Sequence, residues 1–136
     1  MTDSSPRALF AARLIQARQL RGLSQRALGD RMGLGKEKGS SRINRYEHQV
    51  TAIGFDNLGV LAQVLDVPVA YLLADDATMA DAILALSALD EAQRAPLTAL
   101  IKAVTENPAV LQTLMALLPL SEPDQRKAMQ ALAGGD

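Results

Sequence analysis

At 136 residues, with 14 basic and 15 acidic side chains for a net charge of −1, the chain has room for one domain and a small appendage, and its overall balance does not point to a polyanionic partner. The absence of cysteine and the single histidine exclude a disulfide framework and argue against a metal site, and no Gly-rich phosphate loop or paired-carboxylate motif suggests an enzyme. No apolar run reaches the roughly 20 residues that span a bilayer. Asp3, Arg7 and Arg13 interrupt the apolar residues that a signal peptide would need. A cytoplasmic all-α protein without a cofactor is expected.

The first helix is marked by Phe10, Leu14 and Ala17 on one face, with Leu20 and Leu23 carrying the apolar contact into the following turn. Ser24 then caps a short second helix, on whose inner face Leu28 and Met32 lie four residues apart. Gly29 sits between them, where a side chain would push a crossing helix away, and Gly33 suits the tight turn that ends the helix. In the stretch that follows, Ile43 and Tyr46 share a face, which leaves Ser40, Ser41, Asn44, Arg45 and His48 pointing largely outward.

An outward polar face is ordinarily just solvated, but the charge distribution gives this one a purpose. Residues 1–50 hold ten basic and four acidic side chains, a net +6, whereas residues 51–136 hold four basic and eleven acidic ones, a net −7. The near-zero total therefore conceals a polar molecule whose basic half alone should meet phosphates. Arg suits the O6/N7 edge of guanine and Asn the N6/N7 edge of adenine, while Ser adapts to bases or phosphate. These are the side chains of a helix-turn-helix reader of DNA.

The run ARLIQARQLRGLSQRALGDRMGLG, followed by INRYEHQ and LGVLAQVLDVPVAYLLADD, resembles the Cro and lambda-repressor-like (XRE-type) helix-turn-helix family over roughly residues 7–75. The resemblance implies five helices in one domain, the second and third forming the DNA-reading pair. It places Gln25 at a phosphate and Ser40, Ser41 and Arg45 at base edges, to which the outward position of Asn44 adds a fourth base contact. It also implies a buried salt bridge between Arg18 and Glu47 that ties the first helix to the end of the third. Arg26, Lys36, Lys38, Arg42 and His48 complete the expected phosphate contacts.

The chain departs from the family pattern between Gly33 and Ile43, where about four residues are extra. Either the turn becomes a longer loop that carries Lys36 and Lys38 to a phosphate, or the recognition helix starts about one turn early. Gly39 favours the loop, since glycine inside a helix costs about 1 kcal/mol relative to alanine.

Leu58, Leu61, Ala62 and Leu65 give the fourth helix its inner stripe, and VPVAYLLAD, with Pro68 in the first turn, gives a short fifth helix. Ile53, Phe55, Tyr71 and Leu72 are expected to close the core, as the loop from Glu47 to Gly54 folds back over the third helix. Near Asp75 the composition turns to Ala, Leu and Met, and residues 76–136 read as a separate helical association region. Helix starts are predicted at Asp76 or Thr78, at Asp90, at Asn107-Pro108 and at Ser121, with Pro96 either kinking its helix or marking the true start. Residues 109–120 are apolar nearly all round. Ile83, Leu86, Leu100, Ile101, Val104, Leu111 and Leu114 could fill an intramolecular bundle. A region this small buries little surface alone, which favours a dimer or tetramer face of Val110, Leu114, Leu117 and Leu118. No polar groups converge on these helices, so a small-molecule effector is not expected.

The function so implied is a sequence-specific DNA-binding transcriptional regulator, a repressor that occupies a pseudo-palindromic operator as a homodimer. Two further readings share these residues: an antitoxin that binds a toxin through its tail and represses its own operon, and an interaction adaptor that has lost DNA binding.

Overall fold

The computed structural model describes residues 4–35 and 37–135, so the phosphate contact expected of Lys36 lies outside the described residues. Among them the chain forms eight α-helices, one 3-10 turn and no strand. It divides into two compact units between Leu89 and Asp90.

In the first unit α1 (Pro6–Leu20) starts as its sequence dictates: Ser5 Oγ accepts from Ala8 N and Pro6 takes the first helical position, where its missing N–H costs nothing. Ser24 Oγ accepts from Ala27 N to open α2 (Gln25–Arg31), and Gly33, at φ +75°, makes the turn after it. Then come α3 (Lys38–Glu47) and α4 (Phe55–Leu65). Arg21 closes the end of α4 by donating to the carbonyl oxygens of Leu65 and Asp66, both at 2.7 Å. After Pro68 the short fifth element is a 3-10 turn, Val69–Leu73, rather than an α-helix. Asp76 then caps α5 (Ala77–Ser87) through Met79 N.

The apolar stripes of these elements meet in one core of Phe10, Leu14, Leu28, Ile43, Leu61, Leu65, Tyr71 and Leu72, with Phe10 and Tyr46 edge to face at 6.0 Å. Ala80 is fully buried in this core, and Ile83 and Leu84 pack against it. The boundary therefore falls about fourteen residues later than the composition shift at Asp75 indicates: α5 is apolar because it covers the first unit. Phe55, expected inside, is 88% exposed. Side chains lean toward the N-terminus of their helix, so a first-turn residue projects beyond the end of the packed layer. Leu20, the last residue of α1, is likewise exposed.

The second unit holds α6 (Glu91–Glu106), α7 (Pro108–Leu117) and α8 (Glu122–Ala133). Asp90 and Gln93 form a reciprocal capping box at the start of α6, which continues through Pro96. Asn107 and Ser121 cap the other two helices, and Gln125 Nε2 donates to the carbonyl of Leu117 at 2.9 Å, pinning α8 to the end of α7. No described side chain from Asp90 onward is buried. On α7 the half-buried stripe is Val110, Leu114 and Leu117, while Leu111, Met115 and Leu118 point outward at 47%, 57% and 69% exposure. Three of the four residues expected at an oligomer face, Val110, Leu114 and Leu117, are thus half-buried within their own unit. Leu118 alone of that set is fully outward.

Candidate nucleic-acid interface

The crossing of α2 and α3 is set by two glycines. A methyl group on Gly29 would stand 2.5 Å from the carbonyl carbon of Gly39, and one on Gly39 would stand 2.8 Å from Gly29 Cα. Gly39 is therefore not a loop residue. It lies in the first turn of α3, which begins at Lys38, five residues ahead of Ile43. The propensity cost that favoured a loop is outweighed by a backbone contact no other residue permits.

Helix α3 turns Gly39, Ile43, Tyr46 and Glu47 inward. Its outer surface carries two adjacent rows: Lys38, Ser41, Arg42 and Arg45 along one, and Ser40, Asn44 and His48 along the other. All are exposed except Ser40, which is half-buried. The first row forms one wall of an open groove of about 600 Å3, whose other lining residues include Glu37, Thr51 and Asn57. Among the described lining residues three cations face one carboxylate, so the groove favours a polyanion. Arg45 donates through Nε to Thr51 Oγ1 at 3.1 Å, which fixes its direction and uses one of five N–H donors. His48 Nδ1 lies 2.9 Å from the carbonyl of Asn44 at the end of α3. Arg26 is exposed at the second position of α2.

Behind this surface sits an ion pair. Arg18 Nε donates to Glu47 Oε1 at 2.5 Å and its Nη2 to Oε2 at 3.2 Å, while Nη1 donates to the carbonyl of Leu23 at 2.9 Å. The two side chains are 16% and 4% exposed. Such a fork holds α1, the α1–α2 turn and the end of α3 in fixed register. Gln25 extends the network. Its Nε2 donates to Glu47 Oε2 at 2.7 Å, and its Oε1 accepts from Asn44 Nδ2 at 3.4 Å. The residue expected at a phosphate is thus turned to protein partners at both ends of its amide, and it braces Asn44 from behind.

Thr51 and Asn57 were not legible as site residues. Thr51 follows α3 in a short connection with no periodicity, and Asn57 is simply a position off the apolar stripe of α4.

Residues 14–72 match the helix-turn-helix family. No curated protein matches the chain in sequence. Among solved structures, the crystal structure of transcriptional regulator BswR is similar, with 34% sequence identity, a TM-score of 0.63, and coverage of 68% of this chain and 92% of that one. Capped α2, the glycine crossing, the exposed basic α3 and these likenesses agree: the chain belongs to the helix-turn-helix family, in its Cro and lambda-repressor-like form.

Proposed function

We propose that this chain is a sequence-specific DNA-binding transcriptional regulator that represses by occupying a pseudo-palindromic operator as a homodimer. The observation that carries the reading is the outer face of α3, where Lys38, Ser41, Arg42, Asn44 and Arg45 stand together, with α3 held from behind by the Arg18–Glu47–Gln25 network. The likeness to the transcriptional regulator BswR supports the regulatory part of the reading.

In this reading α3 enters the major groove. Arg45 addresses a guanine edge and Asn44 an adenine edge, with Ser40 and Ser41 beside them. Lys38, Arg42, Arg26 and His48 meet phosphates, which supply affinity without sequence information. One reading head makes few base contacts. A second head on a symmetric partner, about 34 Å along the duplex, binds at high effective concentration. The second unit supplies the partner contact. Because Val110, Leu114 and Leu117 are half-buried within the protomer, the face offered to a second copy is Leu111, Met115 and Leu118; Met129 and Leu132 of α8 are exposed as well.

Selection of bound duplexes from a random pool tests the proposal. Enrichment of a motif with two related half-sites is expected. Retention of duplexes with no common motif, or none at all, would remove sequence-specific regulation from consideration.

A further inference from the structure

One charged group in the α3 groove has no place in a plain basic interface. Glu37 precedes α3 immediately, in helical backbone conformation (φ −96°, ψ −42°), yet its side chain makes no capping hydrogen bond to the helix. It is exposed and lines the same groove as Lys38, Ser41, Arg42 and Arg45. A carboxylate so placed repels phosphates on every sequence. Glu47, the other acidic residue of this helical segment, is buried against Arg18, but Glu37 has been left facing out.

Carboxylates do have a use at a base edge. They are acceptor-only, and in the major groove cytosine presents the N4 amine as a donor, whereas guanine and thymine present carbonyl oxygens that a carboxylate repels. Adenine is intermediate, because its N6 donor lies beside the N7 acceptor. The early start of α3 places Glu37 one turn ahead of Ser41 and two turns ahead of Asn44, on the leading end of the helix.

We propose that Glu37 is a specificity-determining residue that accepts a hydrogen bond from cytosine N4 and sets the preference at one base pair in each half-site. The inference rests on the reading that α3 enters the major groove. Glu37 lowers binding to all other sequences and recovers the loss where cytosine is present, so it sharpens discrimination at the expense of general affinity. The order of preference at that position is cytosine, then adenine, then guanine and thymine.

The test is duplex selection with the full chain and with Glu37→Gln and Glu37→Ala, each checked for an unchanged circular dichroism spectrum and dimer mass. The parent should enrich cytosine at one position per half-site by roughly tenfold. Glu37→Gln should move that position toward adenine, whose N6/N7 pair an amide matches, and Glu37→Ala should leave it without preference. If all three proteins enrich one motif identical at every position, or if both variants simply bind every duplex more tightly by the same factor, Glu37 reads no base while the DNA-binding reading stands. If the parent enriches no motif, both fall together.

Discussion

Replacing Gly39 by alanine sets two effects of opposite sign against each other. Alanine is favoured over glycine inside a helix by about 1 kcal/mol. Against that, the new methyl would lie 2.8 Å from Gly29 Cα and 2.9 Å from its carbonyl carbon, so α2 and α3 must separate. Ordinary carbon contacts sit at about 3.5–4.0 Å, and the obstructing atoms are backbone, so no rotamer change relieves them. Moving two packed helices apart by most of an ångström also loosens Leu28 against Ile43, both fully buried. Overpacking costs about 1–3 kcal/mol, and a backbone obstruction belongs at the upper end. The net expectation for Gly39→Ala is destabilisation by about 2 kcal/mol. Gly59 in α4 is the control, since a methyl there would meet nothing within 4 Å. Gly59→Ala should keep the propensity gain and stabilise by about 1 kcal/mol, a rise of about 5 °C in Tm for a unit of this size. Urea and thermal unfolding at one fixed protein concentration measure both. Should Gly39→Ala prove as stabilising as Gly59→Ala, the close crossing of α2 and α3 does not hold.

Glu47→Ala leaves the Arg18 guanidinium and the Gln25 amide without their acceptor, and loss of about 3 kcal/mol in unfolding free energy is expected, with Glu47→Gln recovering part of it; equal stability of Glu47→Ala and parent would contradict the pair's structural role. Burial first, and then the Asp81 carboxylate, push the Tyr71 phenol above its ordinary value of 10.0, against the opposing pull of Arg13 and Arg21. The folded chain therefore keeps this proton after the unfolded chain has released it, so the contribution to stability is complete below pH 10 and declines as pH rises beyond it. Tyr71→Phe should flatten that alkaline decline, and an unchanged slope in pH-dependent unfolding would count against it. Arg45→Ala should relax preference at one base pair by about 1–3 kcal/mol, and Gln25→Ala should do so more weakly at the base pair proposed for Asn44; competition binding across operator variants distinguishes this from a uniform loss. Under the proposed dimeric reading, Leu111→Ser combined with Met115→Ser should leave the helical content intact, convert the protein to a monomer in sedimentation, and lower affinity for a two-half-site duplex by about 100-fold or more; a parent chain that already sediments as a monomer would contradict that reading.

Local chemistry determined much of this molecule from sequence. Ser24, Asp76, Asp90, Asn107 and Ser121 announce helix starts because their side chains meet orphan N–H groups within the same few residues, and the Leu58–Leu65 stripe follows from 3.6-residue periodicity. The basic, polar outer face of α3 was legible for the same reason, since Ile43 and Tyr46 fix which side is inside. Features that hinge on a residue far along the chain emerge from packing alone. Gly39 reads as a loop residue until Gly29 is seen against it, and α5 reads as tail until the first unit is found to need its Ala80. The phase of α7 was open to both choices because it is apolar nearly all round, and the protomer half-buries one stripe of it, Val110, Leu114 and Leu117. Periodicity states that a face must be buried; only packing states against what.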